Sequence, residues 1–252
     1  MKLAAPLYGA LCYLAFLPTF LYAIGFTSGR VVPKAIDDGA PAPLAVALAI
    51  DVALLGLFAV QHSVMARPGF KRWWTRVVPK PVERSTYVLL ASAVLALLFW
   101  QWRPLPMPVW QADDPALRVA LDAVAALGWL TVLGSTFLLS HFELFGLRQV
   151  YNAMRGHTEP PPVLHTPGLY KVVRHPIYLG FLIAFWSTPD MTVGHLLFAI
   201  GCSGYILIGI ALEERDLITT FGEAYRRYRR EVRMLLPVPK ARADNASARK
   251  IA

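Results

Sequence analysis

Two stretches carry the residue types that handle a charged ligand at the edge of an apolar run. Residues 170–180 read YKVVRHPIYLG, and residues 210–237 read IALEERDLITTFGEAYRRYRREVRMLLP. Ionisable groups in or beside membrane helices are costly, which makes each a functional candidate. In the first stretch, Pro176 suits the first turn of a helix, because its missing N–H would have had no intrahelical partner there. The positive end of that helix and its free N–H groups favour an anion beside Arg174 and His175. Arg174 can grip a carboxylate through two hydrogen bonds, and His175 and Tyr178 add hydrogen bonds and aromatic faces. In the second stretch, Glu213 and Glu214 close an apolar run, and Tyr225 and Tyr228 lie three apart on one helical face. A hairpin between the stretches brings the two glutamates to Arg174 and His175. The plainer reading is structural: Arg174 snorkels to lipid phosphate, Tyr178 joins an interfacial aromatic belt, and the glutamates form ion pairs that pin the hairpin.

A third stretch, HFELFGLRQVY (141–151), holds His141, a candidate base because an ordinary imidazole accepts a proton near neutral pH. Glu143, Arg148 and Gln149 can orient it or line a pocket; alternatively His141 and Glu143 cap and pair at a helix end. His62, after Gln61, is a polar intruder in an apolar run, either a pocket residue or a hydrogen-bonding partner for a neighbouring helix. His157, His165 and His195 carry no comparable signal.

The elements that must position these residues are membrane helices. The chain has 252 residues, 56% hydrophobic and 16% charged, against about 25% charged in a soluble domain. A crossing helix needs about 20 mostly apolar residues, and four stretches qualify: roughly 4–27, 43–66, 84–102 and 117–142. A fifth region, 176–212, is interrupted by S-T-P-D at 187–190 and reads as a helical hairpin with a short first arm. The expected fold is all-α: a polytopic bundle of four spans plus this hairpin, five to six membrane helices, and a cytoplasmic C-terminal helix. Residues 1–237 form one membrane-embedded domain, with 141–237 as its ligand-binding part, and 238–252 form a disordered basic tail. The apolar stretch after Lys2 reaches Phe26, longer than the usual ~7–15-residue core of a signal peptide, so it reads as a retained helix. Cys12 and Cys202 both fall in apolar runs and read as buried thiols. No zinc-binding spacing occurs, so no metal is expected.

The net charge of +9 could suggest nucleic acid, but the basic residues sit between apolar runs, which suits an anionic membrane surface. The loop 67–84 carries Arg67, Lys71, Arg72, Arg76, Lys80 and Arg84 against Glu83, whereas 103–116 carries one Arg and two Asp. The positive-inside rule then puts the first loop, the N-terminus, 143–175 and the C-terminus in the cytoplasm. Trp73 and Trp74 between basic residues suggest a short helix in the headgroup layer, an anchor more than a site.

The order R-H-P-x-Y-x-G, then E-E, then F-G-x-x-Y-x-x-Y and a closing aliphatic-Pro resembles the isoprenylcysteine carboxyl methyltransferase and phospholipid methyltransferase superfamily. Arg233 departs from it, standing where related chains often have proline. QHSVMARPGFKRWW (61–74), ERSTYVLLAS (83–92) and HFELFGLRQVY extend the match to about residues 50–237 and look like the bacterial methanethiol S-methyltransferases, relatives of the NnrU-like membrane proteins. The resemblance implies S-adenosylmethionine as cofactor, a small thiol as substrate, dimethyl sulfide as product, and a site facing the cytoplasm of a bacterial inner membrane. It implies His175, Tyr178 and Glu213 or Glu214 around the cofactor, with Arg174 close by; chemical matching adds Tyr225 and Phe221 beside the adenosine. The expected catalytic set is His141, Glu143 and Arg148, with His62, Phe142, Gln149 and Tyr151 around the substrate. Chemical matching assigns the cofactor carboxylate to Arg174 and the helix N-terminus, and its ammonium or ribose to Glu213 or Glu214. The alternatives are an isoprenylcysteine carboxylate or lipid amine as acceptor, or a nicotinamide-dependent reductase like the membrane sterol reductases.

Overall fold

Apolar runs of the length read above form the spans. The computed structural model describes residues 3–158 and 160–238. In chain order the elements are α1 (Ala4–Ser28), α2 (Leu44–Ala66), α3 (Pro68–Trp74), α4 (Lys80–Gln101), β1 (Pro108–Gln111), α5 (Pro115–Leu139), α6 (His141–Leu144), α7 (Leu147–Arg155), α8 (Pro176–Trp186), β2 (Asp190–Thr192), α9 (Val193–Phe221) and α10 (Glu223–Glu231). Among the described residues, α1, α2, α4, α5 and α9 are long and apolar enough to cross a membrane, and α8 is a shorter apolar helix. The chain is a multi-pass membrane protein. Leu7, Leu11 and Leu14 of α1 and Leu127 and Leu130 of α5 stay exposed, as side chains facing lipid tails do. The expected four spans and hairpin are present; beyond Val238 the expected tail lies outside the described residues.

Local chemistry sets the boundaries. The Asp114 side chain accepts the Ala116 N–H at 3.0 Å and Pro115 opens α5, a capped start with a proline in the first turn. The fourth span ends at Leu139, so His141 belongs to the short α6 beyond a break at Ser140. The third span begins earlier than its apolar run, at Lys80, which puts Lys80, Glu83 and Arg84 on the helix itself. The short helix expected around Trp73 and Trp74 is α3.

The spans alternate in direction, so the bundle has two unlike ends. One end gathers α3, α6, α7, α10 and the start of α8. At the other, β1 and β2 pair antiparallel, Pro108 opposite Thr192 and Gln111 opposite Asp190. An all-α reading has no place for this ribbon: its strands are three and four residues long, too short for an alternating pattern. Arg118 clamps Asp190 there through both oxygens, at 2.8 and 2.5 Å. The main core, built on Phe26, Leu98, Phe99, Trp102, Trp129, Phe185 and Phe198, sits toward the ribbon. A smaller cluster of Met65, Tyr87 and Val88 sits toward the other end.

Helices α5 and α8 touch backbone to backbone. A Cβ on Gly180 would lie 2.6 Å from the Gly128 carbonyl oxygen, and one on Gly128 would lie 2.7 Å from that of Gly180. Small residues let membrane helices approach this closely, and the crossing fixes where the mouth of α8 opens.

Candidate active site

The mouth of α8 and the end of α9 meet around two adjacent carboxylates. Glu214 accepts from Arg174 Nε at 2.7 Å and from His175 Nε2 at 3.2 Å, and its second oxygen lies 3.1 Å from Arg229 Nε. The side chains of Arg174 and Glu214 are 7% and 8% exposed, so this is a buried ion pair held by further hydrogen bonds. Arg174 Nη1 also donates to the carbonyls of Val232 at 2.5 Å and Arg229 at 3.3 Å. Two backbone bonds complete the seam: Arg174 N–H to the Arg233 carbonyl at 2.8 Å and His175 N–H to the Met234 carbonyl at 3.2 Å. The proline missing at Arg233 therefore leaves the seam intact, because position 233 contributes its carbonyl.

Glu213 is the freer of the pair. Its side chain is 42% exposed; Tyr178 Oη donates to it at 2.9 Å, and His175 Nδ1 lies 3.9 Å away. Glu213 faces a cavity of about 500 Å³ whose wall includes Lys71, Lys80, Glu83, Arg84, Glu143, Gln149, His165, Tyr170, Arg174, His175, Phe221, Tyr225 and Tyr228. Ligand pockets commonly hold about 300–1,000 Å³. Three wall atoms are buried without a partner among the described residues: Glu83 Oε1, Gln149 Oε1 and the Tyr225 hydroxyl. Buried polar atoms normally have partners, so this wall suits a polar ligand. Burial pushes the phenols of Tyr170 and Tyr225 above their ordinary range and that of Tyr228 up to about 12, so all three are neutral donors near pH 7. Tyr228 uses its hydroxyl on the Tyr170 carbonyl at 2.6 Å, which ties α10 to the turn Gly168–Lys171. Burial, with Arg84 nearby, pulls the Lys71 ammonium below its ordinary value. Lysines, arginines, carboxylates and phenols around one cavity can bind a zwitterion that carries an aromatic ring.

The structure gathers part of the expected set and separates the rest. Glu143, Gln149, Arg174, His175, Glu213 and Tyr225 line the cavity. Arg174 was expected to hold a ligand carboxylate; its guanidinium is committed to Glu214 and two carbonyls, so it presents charge more than free donors. Glu214 likewise faces Arg174, His175 and Arg229. His141 was expected to act as a base, yet it is absent from the wall and 5% exposed. Thr136 Oγ1, whose proton points to the Leu133 carbonyl, accepts from Nδ1 at 2.8 Å; Nε2 then accepts from the Tyr13 hydroxyl at 2.8 Å. Both ring nitrogens are therefore engaged, and Phe137 stacks on the ring at 4.2 Å. Arg148 forms a surface pair with Glu143 at 2.8 Å, outside the wall. Phe142 and Tyr151 are 56% and 48% exposed, also outside it. His62 lies among Phe58, Tyr87 and Tyr205.

Sequence reasoning missed Lys71, Lys80, Glu83, Arg84, His165 and Tyr170. The loop 67–84 read as an anchor because it is basic and carries tryptophans. The usable signal was Glu83, the single acid in that basic run.

The sequence profile of the NnrU protein family matches residues 52–230. A methanethiol S-methyltransferase of Mycobacterium tuberculosis is 60% identical over 233 residues, 92% of this chain and 96% of that protein. Methanethiol S-methyltransferase 1 of Bradyrhizobium diazoefficiens is 59% identical over 236 residues, 94% of this chain and 83% of that protein. Nurim of Sus scrofa is 33% identical over 184 residues, 68% of each chain. No solved structure matches.

Proposed function

The chain belongs to the NnrU family and to its methanethiol S-methyltransferases, and from that premise we propose that it transfers a methyl group from S-adenosylmethionine to methanethiol, giving dimethyl sulfide. The observation that carries the reading is the cavity at the mouth of the C-terminal hairpin, with its buried unpartnered Glu83 Oε1, Gln149 Oε1 and Tyr225 hydroxyl. Its donor set fits S-adenosylmethionine. Lys71, Lys80 and Arg84 would hold the carboxylate, in place of Arg174. Glu213 or Glu83 would hold the ammonium. Gln149, Tyr225 and Phe221 would hold the adenosine. When bound, the cofactor supplies a methyl group on a positively charged sulfur.

The protein's own work is placement. Methyl transfer is an in-line displacement, and holding both reactants in line replaces a bimolecular encounter with an intramolecular one. Glu214 fixes Arg174 and His175, so the cavity wall is set before any ligand arrives. The thiol must lose its proton, because the thiolate is the nucleophile. His141, with both nitrogens engaged, serves as a positioning residue that ties α6 to α1 and α5. The basic end of the bundle, which carries the cavity, faces the cytoplasm of a bacterial inner membrane. The charged cofactor enters there, and the apolar thiol enters from the bilayer.

The test uses protein purified in detergent. S-Adenosylmethionine binding is measured by calorimetry, and dimethyl sulfide is measured in the headspace after methanethiol is added. Binding with product is the expected result. Binding without product would redirect the reading to a larger acceptor, and binding of NADPH in its place would redirect it to a reductase.

A further inference from the structure

A polar cluster lies within the spans, next to the cavity and outside its wall. His62 on α2 stacks on Phe58 at 5.2 Å and meets Tyr205 of α9 edge-on at 6.3 Å. Tyr87 Oη of α4 lies 2.8 Å from His62 Nε2 and 3.4 Å from the His62 carbonyl oxygen. With Nε2–H donating to Tyr87, and Tyr87 donating to the carbonyl, Nδ1 is left as an acceptor. That Nδ1 is buried and has no partner among the described residues. In a lipid-facing bundle such a group is costly, which marks it as a functional candidate.

The cluster adjoins the cavity wall through Arg84. The Arg84 guanidinium, on the cavity wall, sits 5.0 Å over the Tyr87 ring.

We propose that the acceptor thiol binds at this intramembrane cluster, with its sulfur against His62 Nδ1, and that His62 takes its proton. The inference rests on the methyl-transfer reading and adds the acceptor site and the base. The S–H bond breaks and its proton goes to Nδ1. The freed sulfur electron pair forms the new S–CH3 bond as the bond from that methyl to the sulfonium sulfur breaks, its electrons remaining on the leaving sulfur. Tyr87 holds the imidazole through Nε2, and Phe58 and Tyr205 form walls close enough to favour a one-carbon thiol.

The test compares wild type with His62→Gln and Phe58→Ala. For His62→Gln, kcat/KM for methanethiol falls about 100-fold or more, the span of a lost general base. Affinity for S-adenosylmethionine by calorimetry stays within about twofold. Binding of 13C-methanethiol to the protein loaded with S-adenosylhomocysteine, followed by NMR, weakens about tenfold, the loss of one hydrogen bond of roughly 1.4 kcal/mol. Phe58→Ala leaves the His62–Tyr87 bond in place and raises the kcat/KM ratio of 1-propanethiol over methanethiol by about tenfold, as enlarging an apolar pocket does. Wild-type kcat/KM in His62→Gln, loss of cofactor binding in it, or an unchanged ratio in Phe58→Ala would overturn the acceptor site alone. A wild-type protein that binds the cofactor and makes no dimethyl sulfide would overturn the methyl-transfer reading, and this inference with it.

Discussion

Glu213 and Glu214 are neighbours in sequence with opposite duties. Glu214 is buried against Arg174, His175 and Arg229; Glu213 looks into the cavity with Tyr178 on one oxygen. Removing one member of a buried ion pair costs about 3–5 kcal/mol, so Glu214→Ala should sharply lower the unfolding midpoint in detergent. Glu213→Gln should leave that midpoint near wild type and weaken S-adenosylmethionine binding about tenfold, the order of one charged hydrogen bond. His141 gives a pH prediction. Burial lowers its folded pKa below the ordinary 6.5, so below that value the unfolded state takes up the proton first. The stability from neutral His141 is present above about pH 6.5 and is lost as pH falls toward the folded value. The stability gap between wild type and His141→Gln should therefore narrow between about pH 7 and pH 5. Arg174, His175, Glu213 and Glu214 stood out in the sequence because each is polar at the edge of an apolar run, and the fold brings the four together. Lys71, Lys80 and Arg84 were not, because their loop looks like any basic interfacial loop until the chain folds it against α9.

The closest backbone approach of helix α8 is the Gly128–Gly180 crossing with α5. A Cβ on Gly180 meets backbone at 2.6 Å, and backbone cannot move aside as a flexible side chain can. Gly180→Ala should cost about 1–3 kcal/mol, as overpacking does, and should weaken cofactor binding by shifting the mouth of α8. Gly134→Ala, on the same α5 with open space around its Cβ, should change stability by less than about 0.5 kcal/mol. Denaturation in mixed detergent micelles distinguishes the two. The spans were readable because a bilayer demands long apolar runs, and Pro176 marked the start of α8 correctly. The crossing was not, since one glycine in an apolar run looks like another. The β1–β2 ribbon was hidden for a related reason: its partners are about eighty residues apart, and pairing depends on where the spans bring them.

The whole molecule is polarised. The cavity end carries Arg67, Lys71, Arg72, Lys80, Arg84 and the α10 arginines, while the ribbon end pairs Arg30 with Asp122 and Arg118 with Asp190. With the basic end in the cytoplasm, a membrane-impermeant maleimide added to intact bacterial cells should label Asp113→Cys and leave Arg226→Cys unlabelled until the membrane is opened. The reverse pattern would invert the orientation. This polarity was the most legible feature of the sequence, because loop charge needs no tertiary contact to be read. The cavity depends on such contacts, and so does the chemistry assigned to it. The direct measurement is transfer of label: purified wild-type protein, methanethiol, and S-adenosylmethionine bearing a CD3 group, with the headspace followed by mass spectrometry. Dimethyl sulfide carrying one CD3 and one CH3, formed in step with S-adenosylhomocysteine, is the expected result; no labelled dimethyl sulfide from protein that binds the cofactor would contradict it.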